Sequence, residues 1–156
     1  MRSSRDYVTH NAEETYDVGR KLGERLYGGE VVLLFGPLGA GKTIFVRGLA
    51  EGLGLHPEDI KSPSYTLINE HRGTTLSLFH ADLYRLSPDA LADLGLEELY
   101  GDGRVVAVEW AERLEEAGWD LGEAVVVEIE YHPTEDDTRM IMLDAVDVFT
   151  TGGDST

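Results

Sequence analysis

The run Gly36-Pro37-Leu38-Gly39-Ala40-Gly41-Lys42-Thr43 constrains this chain more than any other feature. It satisfies the spacing G-x-x-x-x-G-K-[ST], in which glycines let the backbone curl until its amides point inward at phosphate oxygens. Its context agrees. Val31 to Phe35 is an apolar run of strand length that ends at the loop, and Thr43 to Leu53 reads as the helix leaving it. That helix brings the positive end of its dipole to the same place. The expectation is a loop whose backbone, through Gly36, Leu38, Gly39, Ala40, Gly41 and on to Ile44, holds ATP or GTP. Lys42 is expected to reach the β- and γ-phosphates and Thr43 to be a ligand of Mg2+.

A loop of this kind needs a carboxylate near the metal, usually at the carboxyl end of a buried strand, and two positions qualify. Glu109 ends the fully apolar run Val105-Val106-Ala107-Val108, which suits a strand beside the one feeding the loop, so it takes the metal-holding role. Asp82 ends Leu76-Ser77-Leu78-Phe79-His80-Ala81 and is expected to hold a metal-bound water or orient the attacking one. Either acid alone can also be a solvated strand end. Ser62-Pro63-Ser64-Tyr65-Thr66 lies where P-loop hydrolases keep a segment that senses the γ-phosphate, although a serine-proline pair is by itself more often a turn. Trp110 can pack near the nucleotide, but local evidence favours a place in the core. His10, His56, His71 and His132 show no ligand-like spacing.

The rest of the chain fits around this unit. Asn11 followed by Glu14 reads as a capped helix start, running to about Leu26 with Val18, Leu22 and Leu26 as one apolar stripe to lay on a sheet. The stretch holding Pro57 and Pro63 reads mostly as loop, Thr75 to Ala81 as a strand, and Ser87-Pro88 as a helix start. Val125 to Tyr131 alternates as a half-exposed strand should, with Met140 to Leu143 as its antiparallel partner. The expected fold is α/β: one P-loop domain over 1–149, with a mainly parallel central sheet flanked by helices and an antiparallel extension, then a flexible polar tail over 150–156.

With no cysteine and no long apolar run, the 156 residues are expected to form a soluble, cytoplasmic protein. The net charge of -17 opposes a phosphate backbone, so direct nucleic-acid binding is not expected. Three lysines against paired acids such as Glu97-Glu98 and Asp136-Asp137 suit a halophile-like surface, or equally an ordinary acidic one.

Several blocks together narrow the reading: the glycine loop, Ser62-Pro63-Ser64-Tyr65-Thr66, His80-Ala81-Asp82-Leu83-Tyr84-Arg85, Gly95-Leu96-Glu97-Glu98-Leu99-Tyr100 and Val108-Glu109-Trp110-Ala111-Glu112-Arg113. Their order and spacing resemble the TsaE family, older name YjeE, over roughly residues 11 to 143. The resemblance implies an ATPase that works with the TsaB and TsaD proteins to form threonylcarbamoyladenosine at position 37 of transfer RNA without itself transferring the threonylcarbamoyl group. It also implies that Thr43 and Glu109 hold magnesium, that Asp82 is needed for hydrolysis, and that Thr15 lies close to the nucleotide. Ser64 departs from the family's usual threonine, and Pro37 from a frequent acid. A partner that handles the transfer RNA would leave this chain no need of a basic patch.

Two other classes compete. A small-molecule kinase usually closes an arginine-bearing lid over the phosphates, whereas Arg85, Arg104, Arg113 and Arg139 are scattered here. A regulatory module would bind nucleotide without hydrolysing it. A GTPase is disfavoured, since neither Asp-x-x-Gly after a strand nor Asn-Lys-x-Asp is present. No arginine near the loop is evident to supply transition-state charge, so slow turnover alone and faster turnover with partners is expected.

Overall fold

A computed structural model describes residues 2–61, 68–120 and 122–146. The strands are β1 (Arg2–Thr9), β2 (Val31–Phe35), β3 (Ile68–Arg72), β4 (Ser77–Asp82), β5 (Arg104–Glu109), β6 (Val125–Tyr131) and β7 (Arg139–Val146). The helices are α1 (Ala12–Gly23), α2 (Lys42–Gly52), α3 (Pro88–Asp93) and α4 (Glu112–Glu116), with short 3-10 turns at Pro57–Asp59 and Leu96–Leu99. All seven strands form one sheet in the order β1-β7-β6-β2-β5-β4-β3. The four middle strands β6, β2, β5 and β4 run parallel, and β1, β7 and β3 are antiparallel to their neighbours. The α/β class holds. The sheet is more mixed than expected, with antiparallel pairing at both ends.

Strand alternation divides the core into two layers. Val32, Leu34, Val105 and Ala107 point to the side covered by α1 and α2, where Phe45, Val46 and Leu49 meet them. Leu33, Phe35, Val106 and Val108 point to the other side, against Leu91, Leu96 and Leu114. Burial on both faces is why β2 and β5 read as unbroken apolar runs.

Two strands escape the sequence reading. The segment Arg2–Thr9 has few apolar side chains and lies at a sheet edge, so no hydrophobic pattern marks it; β7 recruits it by antiparallel pairing. Likewise Ile68–Arg72, read as loop, is the opposite edge, paired to β4. The strand expected over Thr75 to Ala81 starts at Ser77 and includes Asp82. At the start of α1, Glu14 donates its amide to Asn11 Oδ1 at 2.9 Å, while the Glu14 carboxylate accepts from the His10 amide at 2.8 Å. The reach back extends one residue beyond the cap.

As expected, Val18 and Leu22 of α1 and Leu26 just beyond it join the core layer on the face of the sheet that the helix covers, and α1 also forms a close pair with α2. Gly19 and Gly23 of α1 face Gly48 and Gly52 of α2, and the backbones approach so closely that a Cβ on Gly48 would lie 1.9 Å from the Tyr16 carbonyl oxygen. A Cβ on Gly19 would lie 2.2 Å from the Phe45 carbonyl oxygen. The expected tail over 150–156 lies outside the described residues. No described helix is long and apolar enough to cross a membrane.

In a helix interior, glycine to alanine ordinarily stabilises by about 1 kcal/mol. At Gly48 the clash reverses the sign: Gly48→Ala is expected to lower the unfolding free energy by roughly 1–3 kcal/mol, the penalty of overpacking a rigid contact. Urea unfolding measures it, and a variant more stable than the parent would refute the packing argument.

Candidate nucleotide site

The glycine loop leaves β2 at the carboxyl end of the parallel strands, where α/β sheets bind ligands. Gly36, Gly39 and Gly41 have φ of 144°, 78° and 114°, in the left-handed region that a side chain would oppose. Gly36 also passes so close to β6 that a Cβ would lie 2.3 Å from the Ile129 carbonyl oxygen. Leu38 stands on the outer lip, 66% exposed.

Lys42, by contrast, is 5% exposed. Its Nζ donates to the carbonyl oxygens of Gly36 at 2.6 Å and Pro37 at 2.9 Å, and lies 4.1 Å from the centre of the Trp110 ring. Burial pulls the Lys42 ammonium below the usual lysine range, while the charges of Glu112, Glu109, Asp82 and Glu130 pull the other way.

Thr43 Oγ1 donates to Glu109 Oε2 at 2.8 Å. Glu109 is 3% exposed, and its Oε2 also lies 2.6 Å from Nε2 of the fully buried His80. The register of β4 against β5 places Asp82 directly beside Glu109. Asp82 Oδ1 accepts from the Tyr84 amide at 3.0 Å. Burial raises its carboxyl above the usual range, with the Glu109 charge adding to the rise and Tyr84, His80 and Lys42 opposing it. Two carboxylates, a hydroxyl and an ammonium therefore converge at the base of the loop.

The other expected residues divide. Thr15 is 2% exposed and bonds to the hydroxyl of Thr9 at 2.7 Å. Its methyl sits 3.6 Å from where a Cβ on Gly41 would be, and it lines a small cavity with Ala40, Gly41 and Ile44. Trp110, for which local evidence favoured the core, is only half-buried and covers Lys42. Its φ of 59° is the one left-handed angle among the described non-glycine residues, and its ring lies 4.7 Å from that of Tyr84. Ser64 and the segment around it lie outside the described residues.

Four residues to which the sequence reading gave no individual role also shape the site. His80 reaches the Glu109 carboxylate from β4; a polar residue between Asp82 and the buried Leu78 on the same strand face was the available signal. Glu112, three residues after Glu109, accepts the Gly36 amide at 2.8 Å through Oε2. Tyr131 and Arg139 come from β6 and β7: the Tyr131 hydroxyl donates to the Leu38 carbonyl, and Arg139 Nε donates to the Ala40 carbonyl at 3.1 Å. Arg139 therefore touches the loop, at a backbone carbonyl on its outer side. More than ninety positions separate these pairs, so no local pattern exposes them.

A protein-family model described as "Threonylcarbamoyl adenosine biosynthesis protein TsaE" matches residues 9–141. The chain is 48% identical over 107 residues to the tRNA threonylcarbamoyladenosine biosynthesis protein TsaE of Nostoc sp., a match covering 65% of each chain and so just under two thirds of that relative. It is 43% identical over 108 residues to the TsaE protein of Bacillus subtilis, covering 69% of this chain and 67% of that one. Among solved structures it is similar to the crystal structure of Bacillus subtilis YdiB, with a TM-score of 0.73 at 37% identity, covering 94% of this chain and 88% of the other. With a family model matching residues 9–141 and motif blocks falling at the glycine loop and the carboxyl ends of β4 and β5, the chain belongs to the TsaE family.

Proposed function

We propose that this chain binds ATP with Mg2+ at the glycine loop, hydrolyses it, and acts with TsaB and TsaD proteins in forming threonylcarbamoyladenosine at position 37 of transfer RNA. The observation that carries the reading is the hydrogen bond from Thr43 Oγ1 to Glu109, at the point where the loop becomes α2. The donor set suits a hard cation: a hydroxyl and a carboxylate oxygen already face one another, and magnesium commonly takes few protein ligands, the remainder being water and phosphate. The loop fits the phosphates as well, since its glycine dihedrals and buried ammonium make a cationic hollow.

On this reading Lys42 leaves the Gly36 and Pro37 carbonyls and bonds to the β- and γ-phosphate oxygens. Thr43 and Glu109 hold the metal, whose charge supports the negative charge that develops on the phosphoryl oxygens. Asp82, beside Glu109, orients the attacking water and accepts its proton as the new oxygen–phosphorus bond forms and the bond to ADP breaks. His80 keeps Glu109 in place. ATP is preferred to GTP on the absence of guanine-reading motifs in the sequence. The family's name for its members supports the transfer-RNA pathway, and the acidic net charge of -17 supports leaving the transfer RNA to a partner protein. A non-hydrolysing module would have no use for Asp82 placed beside Glu109.

Phosphate release is expected to be slow for the chain alone and faster when TsaB and TsaD are added. Lys42→Ala should weaken ATP binding about tenfold or more, as loss of charge-assisted hydrogen bonds does. Asp82→Ala should reduce release by roughly 10²-fold or more. Unchanged hydrolysis in Asp82→Ala and Glu109→Ala, or indifference to both partners, would sink the proposal.

The raised Asp82 carboxyl makes a second measurement informative. A carboxyl that holds its proton more tightly in the fold than in the unfolded chain penalises folding once ionised, so stability falls as pH rises from about 4 through the raised value. Without metal or nucleotide, Asp82→Asn is therefore expected to unfold at a higher urea concentration than the parent at pH 7. The gap should close toward pH 4. Magnesium and ATP should stabilise the parent more than the variant. A gap that widens on acidification would mean the burial effect has the wrong sign.

A further inference from the structure

The peptide planes of the loop are not free to turn. All described peptide bonds are trans, so the carbonyl of one residue and the amide hydrogen of the next point to opposite sides of their shared plane. Whatever holds the Leu38 carbonyl outward turns the Gly39 amide inward. The same holds for the Ala40 carbonyl and the Gly41 amide. Those two carbonyls are the ones anchored from outside the loop, by the Tyr131 hydroxyl and by Arg139 Nε.

The two anchors form one unit. Tyr131, the last residue of β6, pairs directly with Arg139, the first of β7. The guanidinium lies 4.6 Å from the centre of the tyrosine ring, and its Nη1 donates to the carbonyls of Asp136 at 2.6 Å and Thr138 at 3.1 Å. Stacking and the turn between the strands thus hold the arginine still while its Nε engages Ala40. A Cβ on Gly39 would lie 3.0 Å from the tyrosine oxygen, which shows how closely the ring crosses the loop.

The amides on the inner side complete the picture. The Gly36 amide is engaged by Glu112, proline at 37 has none, and the Ala40 amide closes a turn on the Pro37 carbonyl at 3.2 Å. The Gly39 and Gly41 amides have no partner among the described residues. The Leu38 amide also has no partner among the described residues, but its plane is held from within the loop, through the Pro37 carbonyl; the Gly39 and Gly41 planes are the two held from β6 and β7.

We propose that Tyr131 and Arg139 are positioning residues for phosphate binding: by fixing the Leu38 and Ala40 carbonyls outward, they aim the Gly39 and Gly41 amides at the phosphate oxygens of the nucleotide. This rests on the nucleotide reading above and adds to it a role for the β6–β7 end of the sheet. Neither residue touches the ligand through its own side chain in this role.

Calorimetric titration of the full chain with ADP and with ATP, paired with urea unfolding, tests it. Tyr131→Phe deletes one oxygen atom and keeps the ring; Arg139→Met keeps the stem and removes the donors. Each is expected to raise Kd for both nucleotides about tenfold, the scale of one net hydrogen bond. A role confined to folding would shift the urea midpoint and leave Kd alone. If Arg139→Met does not fold, Tyr131→Phe, altered at a half-exposed residue, decides. Kd within twofold of the parent in the folded variants overturns this proposal while leaving nucleotide binding intact. A parent chain that binds neither nucleotide removes the nucleotide reading and this proposal with it.

Discussion

Contact between α1 and α2 at backbone distance is the constraint on which the site's architecture depends. Four glycines permit it: Gly19 and Gly23 on one helix, Gly48 and Gly52 on the other. Any side chain at the tightest of these positions would push the helices apart. Because α2 begins at Lys42, its placement sets where the loop ends; because α1 begins near the loop, its placement carries Thr15 to within van der Waals reach of Gly41. A packing feature in the middle of two helices thereby determines geometry at their amino ends. Glycine's entropic penalty in a helix is accepted at four places for that closeness.

The second determinant is electrostatic. Glu109 is almost wholly buried, and a buried carboxylate must be hydrogen-bonded or neutral. Thr43 from α2 and His80 from β4 satisfy it from two sides, so the acid ties the loop's helix to the strand two places away in the sheet. Asp82 accepts one hydrogen bond among the described residues, from the Tyr84 amide, and burial raises its proton affinity. Two neighbouring acids with unlike surroundings are suited to the unlike tasks proposed for them above.

Legibility in the sequence followed the range of the forces. The β2 strand, the loop and α2 were readable because their signals are contiguous: apolar run, glycine spacing, lysine and hydroxyl. Asp82 and Glu109 were readable because each ends a strand whose burial shows in its composition, and the sheet register sets them side by side. β1 and β3 were not, since edge strands have one partner and little apolar surface, and their pairing is decided by residues far along the chain. Tyr131, Arg139 and Glu112 reach the loop only after the sheet is assembled, so their part in it has no local trace. The helix-pair glycines leave no trace in the hydrophobic pattern, and their part depends on both helices being in place. Trp110 meets both sides of its reading: its half-buried ring packs against the second core layer, and with a left-handed φ it also lies over Lys42.

Lys42 carries one further implication. Its ammonium is engaged by two carbonyl oxygens and an aromatic face, so the site contains its own competitor for the cation. An arriving anion must replace those contacts rather than fill a vacuum. If the loop holds a nucleotide as proposed, a ligand gains most where its oxygens meet the ammonium and the loop amides together, so these contacts would favour linked phosphates.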